Sequence, residues 1–298
     1  MQFSTYYNLN SLQNGFEFFD IDVFADTQRF VDPYCIQRDM SPSGRQMAKS
    51  INVFMYELLN SIRNQQYSRS LNLCSQFGET KGTRLGYSLK RLDGHGAGNK
   101  LSRDFVNNLY ASSAVTSGTV RHLEETMLVC ENIDRDIISD ITISIVKQQL
   151  ISFTQDVCQK YRIPTKLINE DISYYCAMTR TWQRKRFELP HVYDSLTGKE
   201  SYIVLIPERI VPSHPTYNIR YFYSNIAIPL YKDKAIEEGL PYVYRDKSGE
   251  LQVRSGDIRH DLQFGGQKPK MSNLINSQPE LLPKYRNEVA SYKFDKFD

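Results

Sequence analysis

The clearest periodicity in the chain lies between residues 45 and 67. Met47, Ile51, Phe54, Met55, Leu58, Leu59 and Ile62 recur at spacings of three and four, the pattern of a helix with one buried face. Ser41 supplies a cap and Pro42 suits a first turn, where a missing N–H costs nothing. A longer helical pattern spans Asp134 to Tyr161, with Ile137, Ile141, Ile145, Ile151 and Val157 among its apolar positions. It stops before Pro164, which cannot continue a helix. Shorter helical patterns cover Leu101–Ser112 and Gly118–Glu131.

Other stretches read as extended. Residues 16–31, FEFFDIDVFADTQRFV, are rich in strand formers and predict an early strand or hairpin ending at Asp32-Pro33. Tyr174–Phe187, Tyr202–Ile206, Tyr217–Tyr223 and Tyr242–Val253 predict short strands, with turns at 194–198 and 246–249. Residues 225–238 suit a helix, and the Pro-, Lys-, Asn- and Ser-rich tail from Phe264 onward is expected to be irregular. The expected class is α+β, with a helical N-terminal half containing an early strand and a mainly antiparallel β C-terminal half. The expected lobes are 1–165, carrying a Gly-rich loop, and 166–298.

Composition narrows the function classes more than it selects one. Of 298 residues, 40% are apolar and 24% charged, which suits a folded body. A net charge of +3 is too mild to identify a polyanion partner without clustering. Twenty Tyr and fifteen Phe against one Trp can build a core, a groove or a stacking surface. Five cysteines, none closer than 18 residues to the next, contain no CxxC pair and suit a reduced cytoplasmic chain. There is no leader pattern and no apolar run long enough to span a bilayer, so no membrane association is expected.

The first candidate site is the Gly-rich segment 78–102. Gly94, Gly96 and Gly98, followed by Lys100 and a helix expected from Leu101, bring backbone amides and a cation to a helix N-terminus. Such a terminus suits phosphate or another anion. The segment is neither a Walker loop nor a dinucleotide fingerprint, because the required Gly-Lys-Ser/Thr closure and the third glycine are missing. A surface loop that needs glycine for its turns is the plainer alternative.

A second constellation is Asp136 and Asp140, four residues apart, with Ser144 and Lys147 continuing the same helical face. Two carboxylates so placed can share a divalent cation such as Mg, with Glu79, Glu125 or Asp22 as further oxygen ligands and Lys147 stabilising charge. Capping by Asp134 and dipole compensation explain these acids without any metal. Asp20, Asp22, Asp26 and Asp32 form a further acidic group, which solvated strand acids also explain.

The third is TRTWQRKRFELPH, residues 179–191. Arg180, Arg184, Lys185 and Arg186 surround Trp182, a mixture that neutralises phosphates and stacks a base. On a strand, Arg180, Trp182 and Arg184 share one face. The alternative is an exposed basic strand beside a core aromatic. The five histidines form no HxxxH or HExxH pair, and no GxSxG or protease-type cysteine occurs.

Four stretches, RFVDPYCI, RLGYSLKRLDGHGAG, DRDIISDITISIVKQQLISFTQDVC and SLTGKESYIVLIPERIV, resemble uncharacterised proteins encoded in bacterial mobile and anti-phage defence islands. That resemblance brings no activity with it and favours nucleic acid or a protein subunit as the partner. The expected function is a nucleic-acid-associated accessory or effector subunit that binds the phosphate backbone. A metal-dependent nuclease or phosphohydrolase and a purely structural interaction subunit are the alternatives.

Overall fold

The structure, a computed structural model, describes all residues except 10–14, 79, 87–94, 215, 264–266 and 295–298. Its first helices are α1 (Phe3–Tyr6), α2 (Pro33–Arg38), α3 (Pro42–Arg63) and α4 (Tyr67–Cys74). They are followed by α5 (His95–Ala111), α6 (Ser113–Thr116), α7 (Thr126–Val129) and α8 (Arg135–Tyr161). Strands β1 (Lys166–Leu167), β2 (Ile172–Cys176), β3 (Thr181–Lys185), β4 (Glu188–Leu189), β5 (His191–Asp194) and β6 (Lys199–Tyr202) come next. The chain closes with α9 (Ile219–Phe222), α10 (Ile228–Glu238), β7 (Tyr244–Arg245), β8 (Leu251–Gln252), α11 (Ser255–Gln263), α12 (Gln267–Ser277) and α13 (Leu281–Phe294). The protein is α+β: helices make the N-terminal half, and antiparallel strand pairs with closing helices make the C-terminal half.

Two compact units form. The first takes residues 1–107, 122–124 and 133–216, and the second takes 108–121, 125–132 and 217–298. The change of character after residue 165 marks where the strands begin, and residues on both sides of it belong to the first unit.

In the first unit α8 is the central element. Ile138, Ile141, Ile143, Ile145, Val146, Leu150, Ile151 and Val157 are buried around its circumference rather than along one stripe. Such a helix needs cover on several sides, and α3 and β2 supply it. Burying each of those branched side chains stabilises the unit by about 1.5–3 kcal/mol. Asp134 caps the helix by accepting from the amides of Asp136 and Ile137, both at 3.1 Å. At α3, Ser41 accepts from the Gly44 amide at 3.0 Å and Pro42 opens the first turn, as its sequence predicts.

The early strand expected at 16–31 is extended chain without a ladder. It meets its neighbours through isolated bridges, Phe18 to Pro207, Gln2 to Asp22 and Thr27 to Leu85, with single hydrogen bonds besides. At Phe18–Pro207 the Phe19 amide donates to the Ile206 carbonyl and the Glu208 amide to the Glu17 carbonyl, flanking the pair, and the pairing goes no further. Side chains of α8 take over that duty for nearby extended chain: Ser139 Oγ accepts from the Val31 amide at 2.9 Å, and Thr154 Oγ1 from the Leu205 amide at 2.8 Å. The expected strand at 202–206 likewise ends at Tyr202, and only its start belongs to β6.

In the second unit, the strand expected at 217–223 is helical instead. Asn218 caps α9 by accepting from the amides of Arg220 and Tyr221. Tyr217, Tyr221 and Phe222 then pack against Tyr285 of α13. The tail expected to be irregular forms α12 and α13. Pro269 and Pro283 each stand third in their helix, where an amide has no intrahelical partner. Their presence marks helix starts, not loops. The Gly118–Glu131 pattern yields only the short α7, with turns before it.

Candidate functional site

The basic segment forms a tight hairpin. β2 pairs antiparallel with β3, setting Tyr175 opposite Trp182 and Ser173 opposite Arg184, so these four residues share one face. Trp182 is half-buried, and its indole N–H donates to the Leu73 carbonyl at 2.7 Å. Phe54, Phe77 and Tyr175 meet its ring edge-on or nearly so. It therefore fastens the hairpin to α3 and α4, in addition to any stacking it offers. Arg180 lies in the turn before β3 with a left-handed φ of 58°, and its side chain still reaches α3 to pair with Glu57 at 2.7 Å. Arg184 and Arg186 are exposed, Arg186 lying 3.5 Å from Asp171, while the Lys185 ammonium sits over the Phe187 ring.

The Gly-rich segment is only partly within the described residues. Gly94 lies outside them, whereas Gly96, Gly98 and Lys100 belong to α5, which begins at His95 and not at Leu101. Once Leu101–Ala111 nucleates the helix, adding a turn does not repeat the nucleation cost. Gly96 thus stands second in the helix, where an amide has no intrahelical acceptor, Gly98 stands fourth, and Lys100 is exposed beyond them. One turn further, the Ser102 hydroxyl donates to the Cys74 carbonyl at 2.5 Å. β3 and α5 are consequently tied to neighbouring carbonyls, Leu73 and Cys74, at the end of α4.

The acidic helix face is assembled as its spacing predicts. Asp136 and Asp140 are half-buried one turn apart on α8. Ser144 lies one turn further on and donates its hydroxyl to the Gly78 carbonyl at 3.2 Å. That contact brings Gly78 to α8; Glu79 lies outside the described residues. Lys147 is half-buried, and among the described residues no carboxylate pairs with it. Burial lowers its pKa from the ordinary 10.5 to about 8. No group of three or more His, Cys, Asp or Glu among the described residues is arranged to hold a metal ion.

The other acids have local duties. Asp22 accepts from the N-terminal ammonium and from the amides of Phe24 and Ala25. Asp20 accepts from the amide and hydroxyl of Ser4. Glu125 accepts from the Arg121 amide. Asp32 is buried, caps α2 and accepts from both the amide and hydroxyl of Thr216. Burial raises its pKa despite those donors. All five cysteines are free, and burial pushes the Cys130 and Cys158 thiols up to about 12. A cleft of about 420 Å³ at the end of α8, lined by Gln155, Cys158, Arg162 and Glu188 among others, includes none of the basic, glycine or acidic candidate side chains.

Sequence reading missed Arg69 and Glu57. Glu57 sits within the α3 periodicity, next to Leu58, and nothing local distinguishes it from a solvated helix acid. Its side chain is only 7% exposed, and its two oxygens take Arg180 and Arg69. No described helix is long and apolar enough to cross a membrane.

These features define a helix-centred α+β domain with a basic hairpin and a hydroxyl-lined acidic helix face. The chain belongs to a family described as a domain of unknown function, DUF8370, whose model matches residues 8–218. That match covers nearly all of the first unit and ends two residues past its last segment. Neither a curated protein nor a solved structure matches the chain.

Proposed function

We propose that this protein is a nucleic-acid-associated accessory or effector subunit of a bacterial defence system, acting in the cytoplasm and engaging a phosphate backbone through the β2–β3 hairpin and the start of α5. The observation that carries this reading is the shared attachment of the two elements. Trp182 and Ser102 bond to the adjacent carbonyls of Leu73 and Cys74, so Arg180, Arg184 and Arg186 stand on an element tied to the same helix end as Lys100 and the Gly96–Gly98 turn. Exposed guanidinium groups beside unpaired amides are the chemistry that phosphate recognition uses. The hairpin supplies the charge and Trp182 its position. Binding of a fluorescent single-stranded oligonucleotide, measured at two salt concentrations, tests the reading. Affinity is expected to fall steeply with salt, by a log–log slope of about 0.7 for each phosphate neutralised. No binding at low salt rejects it.

A second reading, a metal-dependent nuclease or phosphohydrolase, is favoured by the single helix face that carries Asp136, Asp140, Ser144 and Lys147, with the Gly78 carbonyl bound to Ser144 on it. In that reading the carboxylates hold Mg and Lys147 stabilises developing charge. Cleavage of DNA and RNA with added magnesium or manganese, compared between wild type and an Asp136→Asn, Asp140→Asn double variant, is its test. Equal cleavage by both removes these ligands.

A further inference from the structure

Glu57, Arg69 and Arg180 form a cluster that general surface charge does not explain. The Glu57 carboxylate is 7% exposed and uses each oxygen once, Oε2 for Arg69 Nη2 at 2.5 Å and Oε1 for Arg180 Nη1 at 2.7 Å. Both arginine side chains remain more than half exposed, at 56% and 58%. Each guanidinium carries five donors, so each keeps N–H groups directed away from the shared carboxylate. The cluster bears a net charge of +1, with the anion inside and the cations outside.

Two independent observations set it apart from an ordinary ion pair. Arg180 holds a left-handed φ of 58°, a conformation costly for any L residue that carries a Cβ and retained where the surroundings dictate it. Directly opposite Trp182, Tyr175 is fully buried and its hydroxyl has no hydrogen-bond partner. Glu57 and Arg180 are among the charges that act on that hydroxyl. Two guanidinium forks held by one buried carboxylate, with their remaining donors turned away from it, are suited to an incoming oxyanion.

The geometry points to a phosphate-binding clamp in which buried Glu57 orients Arg69 and Arg180 to grip a single phosphodiester group of a nucleic-acid strand. This rests on the nucleic-acid reading above and names its central contact, adding Arg69, which is 111 residues away from Arg180 in the sequence. Lysine in place of either arginine keeps the charge and loses the planar fork. Because both arginines grip the same phosphate, losing them together removes one phosphate from the salt slope, not two.

The test uses the full chain and a fluorescent single-stranded oligonucleotide, with an Arg69→Lys, Arg180→Lys variant, an Arg69→Ala, Arg180→Ala, Glu57→Gln variant, and an Arg184→Ala, Arg186→Ala variant. Emission from Trp182, the sole tryptophan, monitors folding beside the cluster in each. The clamp predicts that the lysine variant binds at least about fivefold more weakly, and that the alanine variant loses about 0.7 from the salt slope. Wild-type affinity in the lysine variant, with loss in the Arg184/Arg186 variant, overturns the clamp and leaves the nucleic-acid reading standing. If wild type binds inorganic phosphate but no oligonucleotide, and the lysine variant loses that binding, the clamp stands and the nucleic-acid reading falls. Binding of neither ligand overturns both.

Discussion

Trp182 donates its indole N–H to the main-chain carbonyl of Leu73, 2.7 Å away and 109 residues earlier in the chain. That bond lets a strand hairpin close the end of α4, while Phe54, Phe77 and Tyr175 pack around the ring. Trp182→Phe keeps most of the packing and strands the carbonyl, so it is expected to destabilise the fold by about 1–2 kcal/mol. Trp182→Ala also removes the ring and is expected to cost about 3–5 kcal/mol. Urea unfolding followed by circular dichroism measures both; a phenylalanine variant as stable as wild type contradicts the assigned role.

Lys147 gives a pH-dependent prediction. Its folded-state pKa of about 8 lies below the ordinary 10.5, so the folded protein binds this proton less tightly than the unfolded chain does. The resulting penalty is complete below pH 8, shrinks as pH rises, and is gone above 10.5. Lys147→Met should therefore stabilise the protein at pH 7 by up to about 3 kcal/mol, at 1.36 kcal/mol per pKa unit. The advantage should narrow at pH 10, and denaturant midpoints at the two pH values provide the check. An advantage that is the same at both excludes a titrating cause.

Arg162 ends α8 in the left-handed region at φ 57° and is exposed. Side chains other than glycine are strained there by about 1–2 kcal/mol, and the position is the usual place for glycine after a helix. Arg162→Gly is expected to raise stability by about 0.5–1 kcal/mol, because extra chain entropy in the unfolded state offsets part of the relief. Thermal unfolding reads the effect, and a lowered midpoint argues against it.

Gly82 carries the opposite requirement. Its φ is 88°, and an added Cβ meets the Tyr202 carbonyl oxygen at 2.8 Å. The Gly82 carbonyl accepts from the Val204 amide at 3.0 Å, so the backbone cannot move aside without breaking that bond. Gly82→Ala should destabilise by about 2–4 kcal/mol from strain and displacement together. A loss below 0.5 kcal/mol, about the size of a surface substitution, excludes the close approach.

Much of the helical scaffold is legible in local sequence. Ser41-Pro42 and Asp134 carry their own capping chemistry, and α3 and α8 begin where those residues place them. The strand expected at 217–223 failed because Asn218, a helix cap, precedes aromatics whose spacing fits either period, and Tyr285 of α13 selects the helical one. The tail expected to be irregular is helical because composition does not say where a proline falls, and Pro269 and Pro283 fall in first turns, where proline breaks nothing. At the candidate site, the Asp136–Asp140–Ser144–Lys147 face follows from spacing alone. Gly78 reaches that face only through a side-chain contact across 66 residues.

The sequence by itself therefore determined that α3 and α8 are helices with buried positions, where those two long helices start, and which side chains carry charge. Those properties rest on neighbours within a few positions. Only the tertiary structure decided that Trp182 is a fastening in the aromatic core, that the chain at 16–31 is held by isolated bridges and the Ser139 hydroxyl in place of a ladder, and that Glu57 joins Arg69 to Arg180. Burial and hydrogen-bond satisfaction depend on partners distant in the chain, and no local pattern encodes which partner will arrive.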